Sequence, residues 1–378
     1  MEIQHLSVRD FRNFAGGELD LGPRFTVLYG ENGAGKTNLV EALYLVSTLR
    51  SFRISELGPL IRQGAEAARV ELRGRDQKLD LTTQLGVQLV RTGRSVRRTA
   101  VADGKTIRSA KDFYGRARAI LFTPEDLGIL RGSPGGRRNF LDRVLFARDR
   151  AHITDVQGYE KTLRSRNHVL RKEPDPATKR QLAETYEVAL ADFGSRIWER
   201  REALIEALRP TFVSVFSQIH GAGMAASVSY QSKLGASPGA DRRQTLAEGL
   251  QERRNDDIIR GTTTIGPHRD DFAMTLDGQP VGIFASQGQT RALILAFKIA
   301  EVRGARDLTG EPPLLLLDDV SSELDPTRNA HFFEALTEDA GQCVLTTTAP
   351  HFIRLGSAAD AHYVAVSKGV LREGEKPA

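Results

Sequence analysis

The sequence predicts an α/β fold with a mostly helical second lobe and no long coiled coil, and three features carry that prediction. Phe25 to Tyr29 reads as a short strand feeding a glycine-rich turn, and Asn38 to Thr48 then reads as a helix with Leu39, Ala42, Leu43 and Val46 on one face. Leu314 to Leu317 is a continuous apolar run suited to a fully buried parallel strand, and Val344 to Thr347 looks like another. Tyr159 to Lys172 and Lys179 to Leu208 read as two helices interrupted by Pro174 and Pro176, because proline cannot continue a helix interior. At about 1.5 Å per residue the second spans roughly 45 Å, an arm of modest reach.

The remaining elements fill in around these. Glu2 to Val8 reads as a strand, and Arg69 to Leu89 alternates before a polar Arg91 to Arg98 segment that looks like an exposed hairpin tip. Ala119 to Phe122 is a short apolar strand, Ser232 to Asp241 a flexible loop, Ala273 to Leu276 a strand, and a helix follows Gln289. A chain of 378 residues suits two packed lobes, residues 1–120 with 310–378 and residues 121–309. No run approaches the roughly 18 to 20 apolar residues that span a bilayer. Met1 to Asp10 has no basic head and apolar stretch of a signal peptide, so the cytoplasm is the expected address. Cys343 is the only cysteine, which excludes an internal disulfide and a cysteine zinc cluster; it reads as a small residue of a buried strand.

Net charge is +5, unevenly spread. Arg50 to Arg118 holds 16 basic residues against 7 acidic, and Arg131 to Lys172 holds 11 against 4, so the rest of the chain is acidic. Such basic surfaces suit a polyanion, since fixed positive charge displaces counterions from phosphates.

Three motifs bear chemistry. Gly30-Glu31-Asn32-Gly33-Ala34-Gly35-Lys36-Thr37 matches G-x-x-x-x-G-K-[ST] between a strand and a helix. Its glycines let successive N–H groups face phosphate oxygens, and the helix that follows presents its positive end to the same anion. Lys36 is placed for the β and γ phosphates of ATP, and the Thr37 hydroxyl for Mg2+. The apolar strand then delivers Asp318 and Asp319, the first to hold Mg2+ and the second to orient or deprotonate a water. Ser286-Gln287-Gly288-Gln289, before an apolar helix, resembles the signature loop of ABC ATPases, and Ser321 to Asp325, with Ser322 and Asp325, resembles their D-loop. That resemblance implies an ABC-type P-loop ATPase head whose pocket is completed in trans by a second copy.

Further strings point to one family. Phe11-Arg12-Asn13-Phe14, Ser51-Phe52-Arg53, Pro124-Glu125-Asp126 through Arg137-Arg138-Asn139-Phe140-Leu141-Asp142, and Gly266-Pro267-His268-Arg269-Asp270-Asp271 together resemble the RecF family of bacterial recombination mediators, relatives of the SMC proteins. The resemblance implies an ATP-dependent homodimer that clamps double-stranded DNA near single-strand/double-strand junctions. Working with RecR and RecO in recombinational repair and replication restart, it would help load RecA and hydrolyse ATP slowly, stimulated by DNA. It adds Asn38, Arg12 and Asn13 to the ATP-binding residues. Departures from the ABC pattern are Thr346-Thr347-Thr348 where a switch histidine is usual, with His351 out of register, no lobe-connecting glutamine between Ala119 and Leu127, and Asp319 where glutamate is more usual.

Several residues admit two readings. Arg12 and Asn13 either pack on the adenine ring or decorate a strand end. Arg137 and Arg138 either touch DNA phosphates or form an inter-lobe salt bridge. His268 reads as part of a structural hydrogen-bond cluster and Trp198 as core. Arg91, Arg94, Arg97 and Arg98 are the expected DNA contacts, binding backbone without reading sequence. Two rival functions are an ABC transporter's nucleotide-binding subunit and an ATP-binding clamp with negligible turnover.

Overall fold

The computed structural model describes residues 1–76, 80–220, 223–235, 239–319, 341–348, 350, 353 and 361–374. It divides into two compact units, Met1–Leu127 with Phe297–Ala378, and Gly128–Ala296.

Strand β1 (Glu2–Phe11) reverses at Arg12, whose φ is 53°, and returns as β2 (Phe14–Asp20), so the expected strand is one arm of a hairpin. β3 (Phe25–Tyr29) enters the glycine turn and α1 (Lys36–Thr48) leaves it. β4 (Ala67–Asp76), β5 (Leu81–Thr92), β6 (Ser95–Ala102) and β7 (Lys105–Ile107) complete an antiparallel sheet of order β2-β1-β4-β5-β6-β7. The alternation read over Arg69 to Leu89 therefore belongs to two strands. In β4 it turns Ala68, Val70 and Leu72 inward. The short helix α2 (Ala110–Phe113), β8 (Ala119–Phe122) and the one-turn α3 (Pro124–Leu127) follow.

The second unit is helical with a small sheet. α4 (Pro134–Arg148), α5 (Arg150–Lys172) and α6 (Pro176–His220) precede β9 (Ala226–Gln231), α7 (Arg242–Arg260), β10 (Asp271–Leu276), β11 (Gln279–Pro280) and α8 (Val281–Phe284). The sheet is antiparallel in the order β11-β10-β9. The second arm helix is longer than the sequence reading, 45 residues rather than Lys179 to Leu208. Pro176 opens it, where a missing N–H is no loss, and the Asp175 carboxylate accepts from the Thr178 N–H at 2.7 Å. Pro210 does not end it, because the buried stripe of Leu204, Ile205 and Leu208 continues as Phe212, Val215 and Phe216, and burial outweighs one lost hydrogen bond.

α9 (Gln287–Thr309) leads to β12 (Leu314–Leu317), β13 (Gln342–Thr347), β14 (Ala361–Ser367) and β15 (Val370–Glu373). With β3 and β8 these form the sheet β15-β14-β3-β13-β12-β8, parallel except for β15. All four leucines of β12 are buried, as is Cys343 in β13. α1 touches strands of both six-stranded sheets and is buried nearly all round, as befits a helix between two layers. Its N-terminus therefore emerges at the carboxyl end of β3, in the same parallel sheet whose neighbours end at Asp318 and Thr347.

Candidate functional site

The loop from Gly30 to Thr37 is shaped by positive φ angles that only glycine adopts cheaply. Gly30 has φ 151°, and a Cβ there would meet the Val366 carbonyl oxygen at 2.2 Å; Gly35 has φ 119°, and its Cβ would strike the Asn13 amide at 2.7 Å. Lys36 opens α1 and is buried. Its ammonium donates to the carbonyl oxygens of Gly30 at 2.7 Å and Glu31 at 2.9 Å, which fixes it over the loop. Burial lowers its pKa, while the negative charges of Asp319 and Asp318 raise it.

Asp318 stands at the end of β12, between β8 and β13. Its Oδ1 accepts from the Thr37 hydroxyl and from the Thr346 hydroxyl, each at 2.9 Å. Burial raises its pKa, opposed by those two hydroxyls, and Asp319 and Glu125 add to the rise. Magnesium takes hard oxygen ligands and is commonly held by one or two protein groups plus phosphates, and the adjoining Thr37 hydroxyl and Asp318 carboxylate are such a donor set. Asp319 has φ 47°, and its N–H donates to the Thr346 hydroxyl at 2.8 Å. Thr346 thus ties both acids together. Ser322 and Asp325 lie outside the described residues, as does His351.

The Phe11 to Phe14 and Ser51 to Arg53 strings meet on Glu41 of α1, whose side chain is wholly buried. Arg12 grips it through two bonds of 2.7 Å, the Ser51 hydroxyl donates to it at 2.5 Å, and Arg53 lies 3.7 Å away. Asn13 donates to the Ala34 carbonyl at 3.0 Å and accepts from Asn38 at 2.7 Å. Neither sequence reading of Arg12 and Asn13 anticipated this: Arg12 braces α1 and Asn13 braces the glycine loop. Glu41 itself was missed, although an acid inside an apolar helix face was a visible signal.

Ser286 and Gln289 form a capping box at the start of α9. The Gln289 N–H donates to the Ser286 hydroxyl oxygen at 3.1 Å, and the Ser286 N–H donates to the Gln289 side chain at 2.8 Å. Ser286 and Gln287 are exposed, and Gly288, in the first turn of α9, is half-buried. A family model described as RecF/RecN/SMC N terminal domain matches residues 2–368. The DNA replication and repair protein RecF of Myxococcus xanthus (strain DK1622) is 38% identical over 389 residues, covering 100% of this chain and 99% of the relative. That of Anaeromyxobacter sp. (strain Fw109-5) is 39% identical over 375 residues, covering 98% and 99%. The chain belongs to the RecF family. A solved structure of the recombination mediator protein RecF with ATP, in the RecFOR pathway, superposes with a TM-score of 0.86 at 27% identity over 99% of this chain and 98% of that one. An Smc head domain from Pyrococcus furiosus shares the fold, with a TM-score of 0.55 at 15% identity over 98% and 95%.

Within this RecF-family chain the arginine hairpin is real, its tip falling at Gly93 and Arg94 between β5 and β6. Arg91, Arg94 and Arg97 are exposed. Arg98 is a correction: its guanidinium turns inward and donates to the Leu49 carbonyl, and burial lowers its pKa. The cause is strand alternation, which puts Arg98 on the face of buried Ala100 and Ala102. Arg137 grips Asp271 through bonds of 2.7 and 2.6 Å, a pair inside the second unit rather than between lobes. Trp198 is core, with Arg242 stacked on it at 5.0 Å.

The Gly266 to Asp271 string is a structural knot. Arg201 donates to the Pro267 carbonyl at 2.7 Å and pairs with Asp142 through two bonds of 2.9 and 2.8 Å. His268 Nε2 donates to the Thr263 carbonyl at 3.1 Å and its Nδ1 lies 2.7 Å from the Tyr159 hydroxyl, which donates to it when the ring is neutral. Burial, with Arg269, Arg138 and Arg201 nearby, pushes its pKa down to about 4. A histidine depressed in the folded state stabilises fully above its unfolded pKa near 6.5, and that stability is lost as pH falls towards 4. The thermal midpoint should drop between pH 6.5 and 4, with this group contributing on the order of 3 kcal/mol, and His268→Gln should flatten the slope. Equal slopes in both proteins would reject the assignment.

Proposed function

We propose that this protein is an ATP-gated DNA-binding dimer of recombinational repair and replication restart. The single observation that carries the reading is the Thr37–Asp318 contact of 2.9 Å, which joins the glycine loop to the end of β12 and so suits a shared cradle for magnesium and a triphosphate. Gly30, Glu31, Asn32, Gly33, Ala34 and Gly35 would surround the phosphates with N–H groups, Lys36 would meet the β and γ oxygens, and Asp319 would orient or deprotonate the water. Bound Mg2+ would neutralise phosphate charge at Thr37 and Asp318.

The second half of each pocket would come from a partner copy. Ser286 already accepts from the helix N–H, so its hydroxyl proton can serve a γ phosphate, beside the positive end of α9. Just before it Ile283 is 77% exposed and Phe284 65% exposed, apolar surface that suits burial against a second chain. Closure driven by nucleotide would clamp duplex DNA near gaps, with Arg91, Arg94 and Arg97 on its phosphates and RecR and RecO as partners. Among the described residues no helix is long and apolar enough to cross a membrane, and a cytoplasmic address fits this role.

Light scattering with ATP, with ADP and without nucleotide tests the proposal. A dimer is expected only with ATP, and Ser286→Arg should remain monomeric while the monomer's ATP affinity is unchanged. Loss of that affinity would mean that the loop acts in cis. A clamp with negligible turnover is a second reading, favoured by Thr346-Thr347-Thr348 where a switch histidine is usual. Phosphate release with and without DNA separates the two.

A further inference from the structure

The second unit carries a concave basic surface that the nucleotide reading leaves unused. A cavity of about 570 Å3 opens at the N-terminus of α4, lined among others by Pro134, Gly135, Arg138, Lys233, His268 and Arg269. Among the described residues its only lining carboxylate is Asp271, and both oxygens of that group are held by Arg137. A second depression of about 300 Å3, lined by Lys233, Arg253, Asp256, Arg260 and Thr264, shares Lys233 with the first.

The cations here differ from most that surround them. Arg137, Arg166, Arg201, Arg242 and Arg254 all end on carboxylates. Arg138 instead donates to the Asp270 carbonyl at 2.9 Å, and Arg269 donates to the Thr263 carbonyl at 3.3 and 3.1 Å. A carbonyl orients a guanidinium but does not neutralise it. Lys233 and Arg260 are exposed, and neither side chain meets a carboxylate among the described residues. Burial, then Arg201 and more weakly Arg269, push the Arg138 pKa down against the pull of Asp271 and Asp270, so uncompensated positive charge collects at this wall.

We propose that Arg138, Arg269, Lys233 and Arg260 form a track for the phosphodiester backbone of a nucleic-acid strand. The proposal rests on the DNA-binding reading above and adds to it a contact surface on the second unit. A lone phosphate would occupy a small part of one depression; two depressions joined through a shared lysine suit a chain of phosphates. Among the described residues neither lining holds Phe, Tyr or Trp, which suits backbone contact without base stacking or sequence reading. The N-terminus of the 15-residue helix α4, with Gly135 at the cavity wall, adds its positive end to the same field.

The test is Lys233→Glu/Arg260→Glu in the full chain, two exposed side chains whose loss leaves the fold intact, with Lys233→Gln/Arg260→Gln as the milder variant. Fluorescence anisotropy with a labelled gapped duplex, across a salt series, is the readout. The expected result is at least a tenfold loss of affinity for the Glu variant and a smaller loss for the Gln variant. The log–log salt slope should shrink by about 2, near 0.9 per lost phosphate contact. Unchanged affinity and slope in both variants, with the parent protein binding DNA, would overturn the track and leave the DNA reading standing. No DNA binding by the parent itself would overturn both. If inorganic phosphate raises the parent's thermal midpoint but not the variants', while DNA affinity is equal in all, the surface takes free phosphate and the track is wrong.

Discussion

Replacing Lys36 with methionine is expected to abolish measurable ATP binding. The ammonium is buried and held by the Gly30 and Glu31 carbonyls, so its position over the loop is set by the fold and costs nothing further when a triphosphate enters. A charge-assisted hydrogen bond contributes about 1.5–3 kcal/mol, and Lys36 is proposed to meet two phosphates, so affinity should fall by about a hundredfold or more. Methionine keeps the length and apolar stem. The cost to stability is the two carbonyls left without their donor, about 1–2 kcal/mol, which leaves the protein folded. Titration with a fluorescent nucleotide, alongside a thermal melt, checks this: affinity within fivefold of the parent would remove Lys36 from the site. ATP-dependent dimers should vanish in the same variant.

What could be read in the sequence was what local pattern encodes. The strand, glycine turn and helix at Phe25 to Thr48 and the buried run ending at Asp318 are contiguous signals, and the structure places them in one parallel sheet. The brace around Glu41 was not legible, because Arg12, Ser51 and Arg53 reach it from outside its helix, and only the fold reveals that convergence. The capping box of Ser286 and Gln289 was legible as S-x-x-Q but was read only as a phosphate loop. The cap uses the Ser286 oxygen as acceptor, which leaves the hydroxyl proton for the proposed phosphate contact. Arg98 could have been excluded by counting in twos from Ala100 and Ala102, since strand period decides which arginines of a hairpin face solvent. Pro210 shows the reverse case: a local rule predicts a break, and a long apolar stripe on both sides overrides it.

Asp319→Asn should leave ATP affinity within a few-fold and reduce turnover by a hundredfold or more, the usual scale for losing a positioned general base. The substitution is conservative in backbone terms. Asp319 sits at φ 47°, a left-handed conformation that asparagine adopts as readily as aspartate, and the N–H that bonds Thr346 belongs to the main chain and survives. What changes is charge. Asp319 raises the pKa of both Lys36 and Asp318, so its removal makes Asp318 easier to ionise and leaves intact or improved the carboxylate proposed to hold magnesium. Binding and hydrolysis should therefore separate: a loaded dimer forms, persists and releases phosphate slowly. Single-turnover phosphate release and light scattering on the same sample measure the two halves. Hydrolysis at the parent's rate would move the catalytic role elsewhere. Loss of ATP binding would instead show that Asp319 acts by holding Thr346 and Asp318 in place, a positioning role that the retained main-chain bond argues against.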